Sequence, residues 1–382
     1  MTSLWISDVR PWGGPAVDLH VADGVFVATP SGPEAQVVRG GGRIALPAMV
    51  DAHAHLDKTS WGKPYRPHSA GGTLADLIDN ERSHRSDLGP VRERAGALLD
   101  RHIERGVLHI RSHVDVDPAI GLDSVTGVLA AAAERAGRVT VEVVAFPQSG
   151  VLTRPGTAEL MADAVDAGAQ LIGGLDPAGF DGDPIRHLDT VFGIAADKQV
   201  GLDIHLHDRG TLGAWQIERI VERTKALGLA GKVTIAHCYA LSTVDDVRQG
   251  SLIELLASAD IALTTTVPGT TPQLPLARLA AAGVRVGLGH DGVRDLWSPY
   301  GTGDLLDKAL MLAVTSGYRQ DADIARTVRI ATEGGAGVLR LPDYGLEPGC
   351  RANLVLLPAE SLVEAVTQRP LDRTVIAGGV VL

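Results

Sequence analysis

Short apolar or β-branched runs recur along the chain near residues 44–52, 108–115, 139–146, 171–175, 201–207, 233–238, 262–267 and 284–290. Between them lie longer Ala/Leu/Arg-rich segments whose apolar positions follow a helical period: Thr73–His84, Val91–Arg105, Ser124–Ala136, Thr157–Ala167, Pro184–Lys198, Gly213–Leu227, Ser251–Ala259 and Leu276–Ala282. Eight strand runs alternating with helices predict an α/β fold, a (β/α)8 TIM-like barrel. Alternation alone leaves a doubly wound sheet open; the placement of the polar residues decides between them.

The two ends of the chain have a different pattern. Residues 1–43 hold short alternating stretches such as Leu4–Ile6 and Val25–Val27, with turns at Gly13-Gly14 and Gly40–Gly42. Residues 346–382 repeat this character in Asn353–Leu357 and Thr374–Ile376, with Gly378-Gly379 turning into Val380–Leu382. The expected organisation is a small composite β-sandwich made of 1–46 and 346–382, beside a catalytic barrel of 47–345. No internal repeat or low-complexity linker interrupts it.

A chain of 382 residues with 4% aromatic residues and 45 glycines must build its core mainly from Val, Leu, Ile and Ala. Apolar runs fall short of the ~20 residues needed to span a bilayer, and Met1–Arg10 has no apolar secretory core. A cytoplasmic protein without a membrane partner is expected. Cys238 and Cys350 are too few for a disulfide framework. The net charge of −11 without a basic cluster argues against nucleic acid, because phosphate binding needs concentrated Lys and Arg. A small molecule is the expected partner.

Candidate chemistry collects at the ends of the predicted strands, where barrels of this kind carry their active groups. The first run ends in His53-Ala-His55-Leu-Asp57-Lys58, and extended alternation would turn both histidines to one face. His113 and Asp115 end the second run, Gln148 follows the third and Asp176 the fourth. His205, His207 and Asp208 end the fifth, His237 the sixth, and His290 and Asp291 the eighth. Seven of the 13 histidines thus lie at strand ends, more than independent placement would give. His53, His55, His205 and Asp291 are the expected ligands of one divalent ion, Zn²⁺ or Fe²⁺. Three imidazoles and a carboxylate leave room for a water whose pKa the metal brings to ~7.

In order and spacing this constellation resembles the amidohydrolase superfamily over nearly the whole chain. Closer wording resembles its cytosine deaminase branch: His53-Ala-His55-Leu-Asp57, Arg111-Ser-His113-Val-Asp115-Val, Val144-Ala-Phe-Pro-Gln148, and Gly289-His-Asp291 followed by Leu296-Trp297. Leu175-Asp176-Pro177 lacks the bridging lysine of binuclear relatives, which favours a single ion. The chain departs from cytosine deaminases twice. Asp208 stands where they carry a proton-shuttling glutamate, and Lys58 stands where they carry a small hydroxyl residue. With His207 directed into the pocket, this combination looks more like the N-isopropylammelide isopropylaminohydrolase type.

The resemblance implies a hydrolase that replaces an exocyclic amino or alkylamino group of a pyrimidine- or s-triazine-like ring by oxygen. Asp291 would accept a proton from water, His237 would stand beside the developing charge, and His207 or Asp291 would protonate the departing nitrogen. Lys58 would polarise the ring or assist that transfer. Gln148, Trp297 and Asp176 are the expected substrate contacts, although Trp297 as packing and His207 as a partner of a ligand stay open. His113 and Asp115 are expected as a buried network beneath the site, and His68, His84, His102 and His187 as surface or helix residues. Rival readings are ring-opening hydrolysis of a cyclic amide and a non-catalytic, metal-free scaffold. Homo-oligomerisation is also open.

Overall fold

The computed structural model describes residues 3–382 apart from Ser31, Pro268, Thr270 and Thr271. Four strands open the chain: β1 (Ser3–Pro11), β2 (Val17–Ala22), β3 (Val25–Val27) and β4 (Gln36–Pro47). Eight more follow, with helices between them: β5 (Met49–Ala54), β6 (Val107–Asp115), β7 (Thr140–Phe146), β8 (Leu171–Leu175), β9 (Gly201–His205), β10 (Val233–Ala236), β11 (Ala262–Thr265) and β12 (Val286–Leu288). Three close it: β13 (Leu354–Leu357), β14 (Thr374–Ala377) and β15 (Val380–Val381).

Strands β5 to β12 are hydrogen-bonded in sequence order in one sheet, and their pairs are parallel. The sheet closes on itself where Ala54 bridges Asp291, just past β12. This is the expected (β/α)8 barrel. Its outward-facing Val, Ile and Leu, such as Ile110, Ile172 and Ile204, pack with Leu99, Val191 and Ile217 of the surrounding helices in one core. Strand alternation fixes the inner face. On β6, His109, Arg111, His113 and Asp115 occupy every second position, and on β9 so do Asp203 and His205. Arg111 pairs with Asp203 at 3.0 Å and Glu142 at 2.6 Å, a buried polar floor beneath the strand ends.

The terminal strands form a separate seven-stranded sheet ordered β15-β14-β13-β4-β1-β2-β3. β4 joins its halves, parallel to β1 and antiparallel to β13. The far edge curls back: Val25 bridges Arg351, the Phe26 amide donates to the Cys350 carbonyl at 2.9 Å, and Ala352 donates to Gly24 at 2.8 Å. Leu4, Ile6, Phe26, Leu354, Leu356 and Ile376 fill the space enclosed. The small β domain built from both termini is therefore one continuous sheet wrapped around its own core.

Three sequence expectations change. The run at 44–52 is shared by both sheets, Ile44–Pro47 ending β4 and Met49 beginning β5. Pro47 has no amide hydrogen, and beyond it Ala48 donates to the Asn353 carbonyl while Met49 donates to Gly106, so hydrogen bonding passes from one sheet to the other. The fifth and sixth strands stop at His205 and Ala236, short of the expected 207 and 238. The expected helices contain none after the eighth run, yet Leu305–Thr315 is helical and completes the last unit; the long 292–304 connection separates it from β12.

Closure of the barrel needs Gly289. A β-carbon there would lie 2.5 Å from the His53 carbonyl oxygen and 2.7 Å from its amide nitrogen, backbone atoms that cannot step aside. Gly289→Ala is expected to cost at least about 2 kcal/mol of stability, read as a lowered midpoint in urea unfolding of the metal-free protein.

Candidate active site

His53 belongs to β5 with His55 directly after it, His205 ends β9, and His237 and Asp291 follow β10 and β12. The closed barrel brings them together. The His53 ring lies 4.6 Å from His205 and 4.8 Å from His237, centroid to centroid, and 5.4 Å from His55. His55 Nε2 stands 3.3 Å from Asp291 Oδ1, and His53 Nε2 stands 3.9 Å from it. Nε2 of His53, His205 and His237 is buried without a hydrogen-bond partner among the described residues. Donor atoms of these three lie within 4.8 Å of one another, as do those of His53, His55 and Asp291.

Such orphaned nitrogens are costly unless something satisfies them, and a mixed imidazole and carboxylate donor set suits a divalent transition metal. Burial pushes His53 down to about 3, and His205 and His237 well below their ordinary value, so all three imidazoles stay neutral. Burial alone would raise the Asp291 carboxyl, but the hydrogen bond with His55 and the neighbouring His237 and His53 imidazoles hold it well below the usual range. His237 shares the cluster of His53 and His205, so the donors include one residue beyond the four expected from the sequence. The residues present fit a metal ion.

Backbone strain marks the same positions. Asp176, His237 and Asp291 adopt φ of 35°, 64° and 66°, the left-handed region, which costs a non-glycine residue roughly 1–2 kcal/mol. At Asp291 the strained turn is held by its amide donating to the His53 carbonyl at 2.9 Å. Thr266, at the end of β11, contacts both neighbours: its hydroxyl donates to Asp291 Oδ2 at 3.2 Å and lies 3.4 Å from His237 Nδ1.

Strand alternation does not place His207, because β9 ends two residues earlier. Asp176 does so instead. Its carboxylate accepts from the His207 amide at 2.6 Å and stands 2.8 Å from His207 Nδ1. The ring is thereby held 4.3 Å from that of His237. Burial works against protonation of His207, but Asp176 outweighs it and raises the pKa. Asp208 makes its hydrogen bonds elsewhere: it accepts from the Gly179 amide at 3.1 Å and from Gln216 Nε2 at 2.8 Å.

Lys58 is buried in a charged network. Its ammonium donates to Glu81 at 3.1 Å, Asp115 at 3.2 Å and Gln148 Oε1 at 2.8 Å. Arg85 reaches both Glu81, at 2.9 Å, and Asp115, at 2.8 Å. Asp57 donates no charge relief; its Oδ2 accepts from the Asp115 amide at 3.0 Å. Burial opposes charging of Lys58, yet Asp115, Glu81 and Asp57 raise its pKa. Three carboxylates face two cations, so burial and the crowding by Asp57 and Glu81 push Asp115 up to about 7 despite Lys58 and Arg85. Trp297 closes the network, donating from Nε1 to Glu81 at 2.5 Å, with the Lys58 ammonium 5.3 Å from its ring centre.

The site opens on a cavity of about 680 Å³, lined by His55, Lys58, Gln148, His205, His207, His237, Asp291 and Trp297 among others. Asp176 sits behind His207 and is not part of the lining. His113 lies under the cluster, its ring 4.4 Å from both His53 and His205. His102 and His187 are on helices but fully buried, His102 against Asp51 at 3.3 Å and His187 against Asp181 at 2.6 Å. Sequence reasoning did not single out Glu81, Arg85, Thr266 or Lys308. Thr264-Thr265-Thr266 at a strand end carried a signal; Glu81 and Arg85, on and just after the helix Leu74–His84, resembled ordinary solvated helix charges.

Residues 36–382 match the family model described as Amidohydrolase family. The crystal structure of N-isopropylammelide isopropylaminohydrolase from Burkholderia multivorans ATCC 17616 is 40% identical, with a TM-score of 0.96 over 100% of this chain and 98% of that one. The N-isopropylammelide isopropyl amidohydrolase of Pseudomonas sp. (strain ADP) is 31% identical over 88% of this chain and 85% of its own length. The structure of 5-methylcytosine deaminase from Klebsiella pneumoniae liganded with 5-fluorocytosine is 27% identical, with a TM-score of 0.87 over 99% of this chain and 97% of that one.

The Lys58 network makes a stability prediction independent of chemistry. Lys58→Met leaves Glu81 and Asp115 buried with Arg85 alone, and is expected to cost about 3 kcal/mol, measured by urea unfolding. Glu81→Gln, which removes one of the three crowded carboxylates, is expected to cost less than half as much.

Proposed function

The chain belongs to the amidohydrolase family, hydrolases of carbon–nitrogen bonds, and from that premise we propose that it replaces an exocyclic amino or alkylamino group of a pyrimidine- or s-triazine-like ring by oxygen. One observation carries this reading: the convergence of the buried, unpartnered Nε2 atoms of His53, His205 and His237 with His55 and Asp291 at a cavity wall. His53, His55, His205 and Asp291 would hold one Zn²⁺ or Fe²⁺ ion. Such an ion, when bound, lowers the pKa of water towards 7 and polarises the ring carbon's acceptor atoms.

The chain's own residues account for the rest. Gln148 has its carbonyl oxygen committed to Lys58, which leaves its amide NH₂ to donate to the amide-like edge of a ring. Trp297 lines the wall beside it. Asp291 accepts a proton as the oxygen of water bonds to the ring carbon, and His237 Nε2 faces the negative charge that develops. His207, whose pKa the Asp176 contact raises, donates a proton from Nε2 to the exocyclic nitrogen as the carbon–nitrogen bond breaks. Ring and amine thereby leave neutral, and the proton held by Asp291 passes back to His207, which restores the starting charges of both residues. Lys58, fixed by Glu81 and Asp115, supplies a permanent positive charge to a ring oxygen or nitrogen. Asp176 acts through His207 as a positioning residue.

The test is a mass-spectrometric panel on Zn²⁺- and Fe²⁺-loaded protein with cytosine, isocytosine and N-alkylated hydroxy-s-triazines, scoring exchange of amine for oxygen. Silence across the panel with metal bound would reject this reading in favour of cyclic-amide hydrolysis. Chelation is expected to abolish turnover and metal restoration to recover it. Asp291→Asn is expected to lower kcat by at least ~10²-fold, within the usual range for acid–base groups; retention of a tenth of the rate would remove Asp291 from proton transfer. His207→Asn is expected to lower kcat with metal content unchanged, and loss of metal would make His207 a ligand.

A further inference from the structure

The cavity is larger than a bare heterocycle requires, for 680 Å³ lies in the range of pockets that hold drug-sized ligands. Its far side is formed by the helix Leu305–Thr315, from which Lys308 and, one turn on, Met311 face the space. The other charges on the lining have partners within the protein, Asp295 by accepting from the Trp297 and Ser298 amides at 2.8 Å. Lys58 is matched by Glu81 and Asp115, His207 by Asp176, and Asp307 by Arg369 at 2.8 Å. Asp291 is engaged with His55. Lys308 differs. Its ammonium donates to the Thr266 carbonyl at 2.8 Å and has no carboxylate within ion-pair distance among the described residues. The six residues outside that set, Met1, Thr2, Ser31, Pro268, Thr270 and Thr271, carry no acidic side chain. One neutral acceptor uses one of three N–H donors. Burial lowers the Lys308 pKa, with Asp291 and Asp51 opposing it, as expected for a cation short of a counter-charge.

Topology fixes what Lys308 can reach. Gln148 follows β7 and Thr266 follows β11, four strands apart in a closed ring of eight, so they stand on opposite sides of the barrel mouth. A ring held by its amide edge at Gln148 points its opposite substituent across the histidine cluster towards Thr266 and Lys308. We propose that Lys308 is an anion subsite, and that the preferred substrate carries a carboxylate on its departing amine. This rests on the proposed amine-displacement reaction; the subsite supplies the substrate class. An ammonium in a partly desolvated wall recognises such a group through charge-assisted hydrogen bonds, and an uncharged alkyl group leaves it uncompensated.

The experiment uses two dihydroxy-s-triazines that differ in one substituent, 2-carboxyethylamino or propylamino, with the metal-loaded full chain. The wild type is expected to favour the carboxylate in kcat/KM, and Lys308→Gln to lower that preference by at least about tenfold, the worth of one hydrogen bond to a charged group. Gln retains a donor for the Thr266 carbonyl, so a merely structural role for Lys308 leaves the ratio of the two substrates unchanged and overturns the subsite. Lys308→Arg is expected to keep the preference. If neither compound is hydrolysed, calorimetric binding of the same pair decides. Preference for the carboxylate that Lys308→Gln abolishes supports the subsite while rejecting the reaction; equal binding overturns the subsite as well.

Discussion

The structure depends on one seam, the closure of the parallel sheet between β12 and β5. The Asp291 amide reaches the His53 carbonyl there, which joins the beginning of the barrel to its end and places an acidic side chain against two imidazoles from a strand far away in sequence. The close approach is possible because residue 289 has no β-carbon. Without that contact His55 and Asp291 would have no reason to lie 3.3 Å apart, and the left-handed turn at Asp291 would have nothing to hold it. Barrel closure and the candidate metal centre are therefore one problem in packing, solved at one place.

A second constraint is the amount of charge the molecule buries around the cavity. The histidine cluster avoids the cost by staying neutral. The Lys58 network cannot, and instead meets two cations with three carboxylates, which raises the Asp115 pKa. Such networks add little net stability compared with an apolar core, but they fix side chains in one arrangement. Here Glu81 binds both Lys58 and Trp297, and so holds two walls of the pocket in register from a helix that contributes no strand-end residue.

The barrel was legible because its strands carry two independent signals, an apolar outer face and polar residues at their ends. His53, His55, His205, His237 and Asp291 could be read together because each closes a strand run, and strand ends converge in this fold. What lay beyond the sequence followed from geometry without periodicity. The division of 44–52 between two sheets turns on hydrogen-bond partners of Ala48 and Met49 that are remote in sequence. His207 is placed by Asp176 across a loop, not by alternation. Glu81, Arg85 and Lys308 sit on or beside helices, where a charged residue ordinarily faces water, and only the packing of those helices over the barrel mouth turns them inward.

The composite sheet has a consequence for how the chain comes to be folded. β4 pairs with β1 on one side and with β13 on the other, and nearly the entire barrel is synthesised between β4 and β13. As the chain emerges, β1, β2 and β4 can assemble early, but the second edge of β4 stays open until the last strands appear. An open edge is a template for unwanted pairing. β4 continues almost directly into β5, so the same interval leaves the first barrel strand tethered to an unfinished sheet. The terminal sheet thus acts as a clasp that cannot fasten until β13 is made, and the unpaired edge of β4 is what it covers.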